Sequence, residues 1–145
     1  AHIMEDRVDL WPNTTIYNLL IDCHAWSKSP RGGQEAQLIL DRMQNATVQE
    51  IARPNVDTYI KVMEAWASRK QVEHAQQVYG KLQERFESLK SSDLRPNTGA
   101  YNKLIKAWMK SGKPEAPQKA EDLLYEMMNK YKNGDKAVKP NKKTW

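Results

Sequence analysis

Pro12-Asn-Thr-Thr-Ile-Tyr-Asn-Leu-Leu-Ile21 returns as Pro54-Asn-Val-Asp-Thr-Tyr-Ile-Lys-Val-Met63 and again as Pro96-Asn-Thr-Gly-Ala-Tyr-Asn-Lys-Leu-Ile105. With Pro140-Asn141, the Pro-Asn pair recurs at intervals of 42, 42 and 44 residues. Five residues after each proline stands an aromatic: Tyr17, Tyr59, Tyr101 and Trp145. Apolar residues follow each tyrosine at offsets of three and four (Leu20-Ile21, Val62-Met63, Leu104-Ile105), and at offset seven come His24, Trp66 and Trp108. Those offsets share one helical face, so the pattern predicts amphipathic helices near 14–27, 56–69 and 98–110. Proline halts what precedes each helix, and asparagine is a good N-cap.

A second helix follows in every copy. Ala36 with Ile39, Leu40 and Met43 aligns with Ala75, Val78, Tyr79 and Leu82, and with Ala120, Leu123, Leu124 and Met127. Proline and glycine in Ser29-Pro-Arg-Gly-Gly33 and Ser111-Gly-Lys-Pro114 are expected to interrupt the helical pattern between the two helices. Units of this kind cannot bury their apolar faces alone, and they stack. The expected fold is therefore all-α, an α-solenoid of stacked antiparallel helix pairs. The expected organisation is 1–13 as the tail of a preceding repeat, 14–55, 56–97 and 98–141 as three repeats, and 142–145 as the start of another. Ala1-His-Ile-Met4 reads as a cloning remnant, and the apolar ends, with Leu10-Trp11 and Trp145, predict end-to-end self-association.

Composition narrows the function. Of 145 residues, 39% are hydrophobic, with 23 Lys and Arg against 18 Asp and Glu. No apolar run approaches the ~18 residues of a membrane span, so no membrane partner is expected. One cysteine, Cys23, excludes an internal disulfide, and no spacing matches a metal site, a phosphate loop or a dinucleotide fold. Cys23 and His24 are adjacent on a helix, point in different directions and lack a third orienting group. The expectation is a non-catalytic protein with no metal or cofactor. The charge is uneven: residues 1–53 carry 5 basic and 7 acidic groups, residues 96–145 carry 11 and 5. A polyanion would feel the last third most strongly.

The first-helix stretches quoted above, with Lys110-Ser-Gly-Lys113 and the Ala120 to Met127 helix in the same order, resemble the pentatricopeptide repeat family over nearly everything from Val8 onward. These units are longer than the family's usual repeat, with the extra length at the joints and after the second helices. The resemblance implies single-stranded RNA along the face of the first helices, about one base per repeat. It further implies that bases are read by the residue after each tyrosine, Asn18, Ile60 and Asn102, together with the residue after the following proline, Asn55, Asn97 and Asn141. An asparagine amide carries donor and acceptor, and on this reading its face is wet; an Asn-Asn pair resembles a pyrimidine reader, while Ile60 packs a base without reading it. Where the family places an aliphatic wedge between bases, this chain has Thr15, Asp57 and Gly99. Lys61, Lys103, Lys106 and Lys110, on the polar part of the first helices, are the phosphate candidates. The resemblance also implies residence in a mitochondrion or chloroplast. The other reading of the same helices is a protein-binding scaffold like the related tetratricopeptide arrays, with protein partners in place of RNA.

Overall fold

A computed structural model describes residues 12–45, 52–135 and 138. Leu10, Trp11, Asn141 and Trp145 lie outside the described residues. The six α-helices described are α1 (Thr14–Trp26), α2 (Gly32–Met43), α3 (Val56–Ala67), α4 (Val72–Leu89), α5 (Thr98–Ser111) and α6 (Ala116–Lys132), and a short 3-10 turn, Ser92–Leu94, lies between α4 and α5. There is no strand among the described residues.

The first helices start where the sequence places them, and for the expected reason. The side-chain oxygens of Asn13, Asn55 and Asn97 accept the backbone N–H groups of Ile16, Thr58 and Ala100, at 3.0 Å in each case. Each cap satisfies an amide that the first turn otherwise leaves unpaired. Gly112, at φ 72°, ends α5 in the left-handed conformation that glycine adopts without a Cβ penalty.

The helices form two layers. α1 packs on α3 and α3 on α5, while α2 lies against α1 and α3, and α4 against α3 and α5. This is the helix-pair stacking of a helical-repeat solenoid. Tyr17, Tyr59 and Tyr101 are buried between the layers, as are Trp66 and Trp108. The indole N–H of Trp66 donates to Gln37 Oε1 at 3.1 Å, and that of Trp108 to Gln76 Oε1 at 3.0 Å. Each tryptophan thus ties a first helix to the second helix of the preceding pair.

Two local expectations need correction. Gly32 and Gly33 do not interrupt α2; they open it and are buried. A Cβ on Gly33 would stand 2.6 Å from the Trp66 ring, and one on Gly32 would overlap the Arg69 guanidinium and the His24 carbonyl oxygen. Close approach, rather than chain breaking, is what these glycines supply. Leu20 is the second: Val62 and Leu104 at the same offset are fully buried, whereas Leu20 is 44% exposed, alongside exposed Ile16 and Leu19. α1 has no described helix on its outer side, so the rim of its apolar stripe stays open.

Arg69 joins the first two pairs. Its guanidinium donates to the carbonyl oxygens of His24 (3.0 Å), Ala25 (3.2 Å), Ser27 (3.0 Å) and Ser29 (2.9 Å) around the end of α1, and to Ala65 (2.9 Å) in α3, just before it. A cation here meets the negative end of the α1 dipole and its orphan carbonyls together.

Candidate nucleic-acid interface

On each first helix, residues one, five and nine after the tyrosine fall four apart and make one ridge. The ridges read Asn18, Asp22, Trp26 on α1; Ile60, Glu64 and, just past the helix end, Ser68 on α3; and Asn102, Lys106, Lys110 on α5. Side by side, they begin in Asn18, Ile60 and Asn102, carry charge in the middle at Asp22, Glu64 and Lys106, and end in Trp26, Ser68 and Lys110.

At the helix starts, the structure brings Asn18 and Asn55 together. Asn18 Nδ2 donates to Asn55 Oδ1 at 3.4 Å, and the buried Thr58 hydroxyl lies 2.6 Å from Asn18 Oδ1 and 3.0 Å from Asn55 Oδ1. The backbone N–H of Asn55 donates to that hydroxyl at 3.1 Å, closing a capping box around Thr58. The cap also fixes the amide orientation of Asn55: its oxygen faces the α3 amides, so its NH2 points away, and it donates to nothing among the described residues. Asn97 caps α5 in the same way, and its NH2 is likewise without an acceptor there. Ile60 is half-buried, packed on the core beside Gly99. Asn141 lies outside the described residues. Thr15, Asp57 and Gly99 are all exposed.

The wet amide face is a correction. Asn18 and Asn102 are each only 8% exposed. The physical reason is visible at Asn18, which spans the α1–α3 junction and already uses one donor and one acceptor there. One amide hydrogen and one oxygen lone pair remain to it.

Further along the ridges, charge alternates between neighbouring helices. Lys61 Nζ lies 2.6 Å from Asp22 Oδ2, and Lys103 Nζ lies 2.9 Å from Glu64 Oε1. Both pairs link residues 39 apart, in consecutive first helices. Burial disfavours the Lys61 ammonium, but the Asp22 hydrogen bond and charge, with Asp57 and Glu64 behind them, outweigh it and hold its pKa above the ordinary lysine value. Lys106 and Lys110 are exposed and pair with no carboxylate among the described residues. They line a groove of about 240 Å³ with Trp26, Glu64 and Lys103. Two of the four lysine candidates are therefore neutralised within the protein, and two are open. In the last helix, Lys130 sits over the Tyr101 ring, 5.4 Å from its centroid.

Sequence reasoning missed Trp26 and Arg69. For Trp26 a signal exists: it stands at the position of Ser68 and Lys110, where a bulky apolar ring has no core to enter. Cys23 is exposed, His24 is half-buried, and His74 stacks on Trp66 with ring centroids 4.2 Å apart. Among the described residues there is no His, Cys, Asp and Glu cluster able to hold a metal ion, and no helix long and apolar enough to cross a membrane.

A family model described as a pentatricopeptide repeat domain matches residues 38–111, about half of the chain. No curated protein matches it. Proteins of that family are generally RNA-binding helical-repeat proteins and typically non-catalytic. The match spans α3, α4 and α5 whole, with the end of α2, so the stacked helix pairs and the matched segment coincide, and the chain belongs to the pentatricopeptide repeat family.

Proposed function

We propose that the chain is a non-catalytic module that binds single-stranded RNA on the ridge face of α1, α3 and α5, in repeats of 42 to 44 residues bounded at 14–55, 56–97 and 98–141. The observation that carries the reading is the contact between Asn18 and Asn55, two residues 37 apart whose amides meet at the junction of adjacent first helices. An N-capping asparagine has its oxygen committed and its NH2 left over, so Asn55 and Asn97 offer donors that suit the carbonyl oxygens of a pyrimidine. Asn102, with Asn141, is the second candidate reader, and Ile60 gives a base an apolar seat without selectivity. Lys106 and Lys110 are open to phosphate. Lys61 and Lys103 reach phosphate only by leaving Asp22 and Glu64. Residence in a mitochondrion or chloroplast belongs to this proposal through family membership alone.

Those two ion pairs favour a second reading, a protein-binding scaffold, because they remove positive charge from the face. Titration of labelled single-stranded and double-stranded RNA of equal length separates the two. The RNA reading expects binding to the single strand that weakens as salt rises, with a log–log slope of about −0.7 per phosphate contacted. No binding of single-stranded RNA at low salt overturns it.

A further inference from the structure

We infer that the groove at the helix ends is a stacking and phosphate clamp, in which the Trp26 indole takes the face of a nucleobase and Lys106 and Lys110 take the adjoining phosphate. The inference rests on the RNA reading above and deepens it by separating affinity from selectivity.

Trp26 is 79% exposed, the largest exposure among the big hydrophobic side chains described, although it ends a helix whose Tyr17 and Ile21 are buried. It stands two turns beyond the exposed Leu19, on nearly the same face of α1, and lines the groove together with Glu64 of α3 and the three lysines of α5. Glu64 is occupied by Lys103 at 2.9 Å, which leaves the positive charge of Lys106 and Lys110 uncompensated next to the ring. An aromatic face next to unpaired ammonium groups matches a nucleotide, which brings a planar π-surface and a phosphate on one short sugar linker. An acidic peptide would satisfy the lysines and leave the ring unused. A base stacked on tryptophan is held without regard to its hydrogen-bonding edge. The site lies eight residues along α1 from Asn18, about 12 Å at 1.5 Å per residue. A strand can therefore lie on the asparagine row and the clamp together.

The test measures affinities of 5′-labelled single-stranded poly(U), poly(C) and poly(A) oligonucleotides for the wild type, Trp26→Ala, Trp26→Phe and Lys106→Ala/Lys110→Ala, with Asn102→Leu as the contrast. All four substituted side chains except Asn102 are exposed, and circular dichroism checks that the helices persist. The clamp predicts that Trp26→Ala weakens every homopolymer by about fivefold or more while the order of preference stays the same. Trp26→Phe keeps most of the affinity. Lys106→Ala/Lys110→Ala flattens the salt dependence by about 0.7 per lost phosphate contact. Unchanged affinity in Trp26→Ala, with Asn102→Leu still altering preference, overturns the clamp and leaves the RNA reading standing. If the wild type binds no homopolymer at low salt, or binds an acidic peptide through Trp26 more tightly than RNA, both fall.

Discussion

Arg69→Ala should loosen the junction between the first two helix pairs and leave the third pair intact. The guanidinium reaches four carbonyl oxygens around the end of α1 and one in α3. Water can replace it at the exposed carbonyls of Ser27 and Ser29, so the partly buried bonds to His24 and Ala25 carry most of the loss. A hydrogen bond to a charged group contributes about 1.5–3 kcal/mol, and with water partly compensating we expect about 3 kcal/mol in total. For a chain of this size, that lowers the thermal midpoint by roughly 6–12 °C. In stacked repeats, stability is a sum of unit and nearest-neighbour terms, so the damage should be local. Hydrogen exchange should rise across 14–43 and change little across 98–132. Arg69→Lys should recover only part, because one ammonium cannot fork to carbonyls on both sides. Gly32→Ala should destabilise as well, since its Cβ overlaps both Arg69 and the His24 carbonyl. Combined with Arg69→Ala it should cost less than the sum, as part of the overlap is gone. A loss under about 0.5 kcal/mol, or exchange rising equally in all three pairs, refutes the role of Arg69 in joining the first two pairs.

Further outcomes concern the other junction contacts. Gln76→Ala strips the buried Trp108 indole N–H of its acceptor and should cost about 1–3 kcal/mol by urea unfolding, with Gln37→Ala doing the same to Trp66. Thr58→Val keeps the shape but removes a hydroxyl shared by Asn18 and Asn55, so stability should fall by a similar amount and RNA preference should change only at the first unit. Stability should also fall as pH rises above about 10. Burial raises the pKa values of Tyr17, Tyr59, Tyr79 and Tyr101, and the Asp22 pair overcomes burial to raise that of Lys61. The unfolded chain then loses these protons first, so the folded state is favoured below the ordinary values and loses that advantage above them. Urea midpoints from pH 8 to 11.5, with tyrosinate absorbance, check this; a flat profile contradicts it.

The residues readable in advance were those whose role is local. Helix periodicity located α1, α3 and α5 to within a residue or two, and Asn13, Asn55 and Asn97 act as the caps their position implies. What stayed hidden depends on how one unit lies against the next. Asn18 is buried because Asn55, at the end of its own unit, and Thr58 of the following unit close over it, and nothing within 14–27 states that. Lys61 and Lys103 look free within their own helices, yet each meets a carboxylate 39 residues earlier. That equal spacing, Asp22 to Lys61 and Glu64 to Lys103, was present in the sequence and is the signal that a search across repeats would catch. Gly32 and Gly33 were misleading because a glycine pair breaks a helix by propensity but opens one where Trp66 and Arg69 need room.

The central claim is that Asn18 and Asn102, with the capping asparagines beside them, read single-stranded RNA. Selection from a randomised single-stranded RNA pool, run in parallel on the wild type and Asn102→Leu, addresses it directly. The account predicts enrichment of pyrimidines by the wild type at positions separated by one unselected base, with the enrichment at one of them lost in Asn102→Leu, where amide hydrogen bonds worth about 1 kcal/mol each are gone. Pools that emerge unenriched from both proteins, or identically enriched, would contradict it.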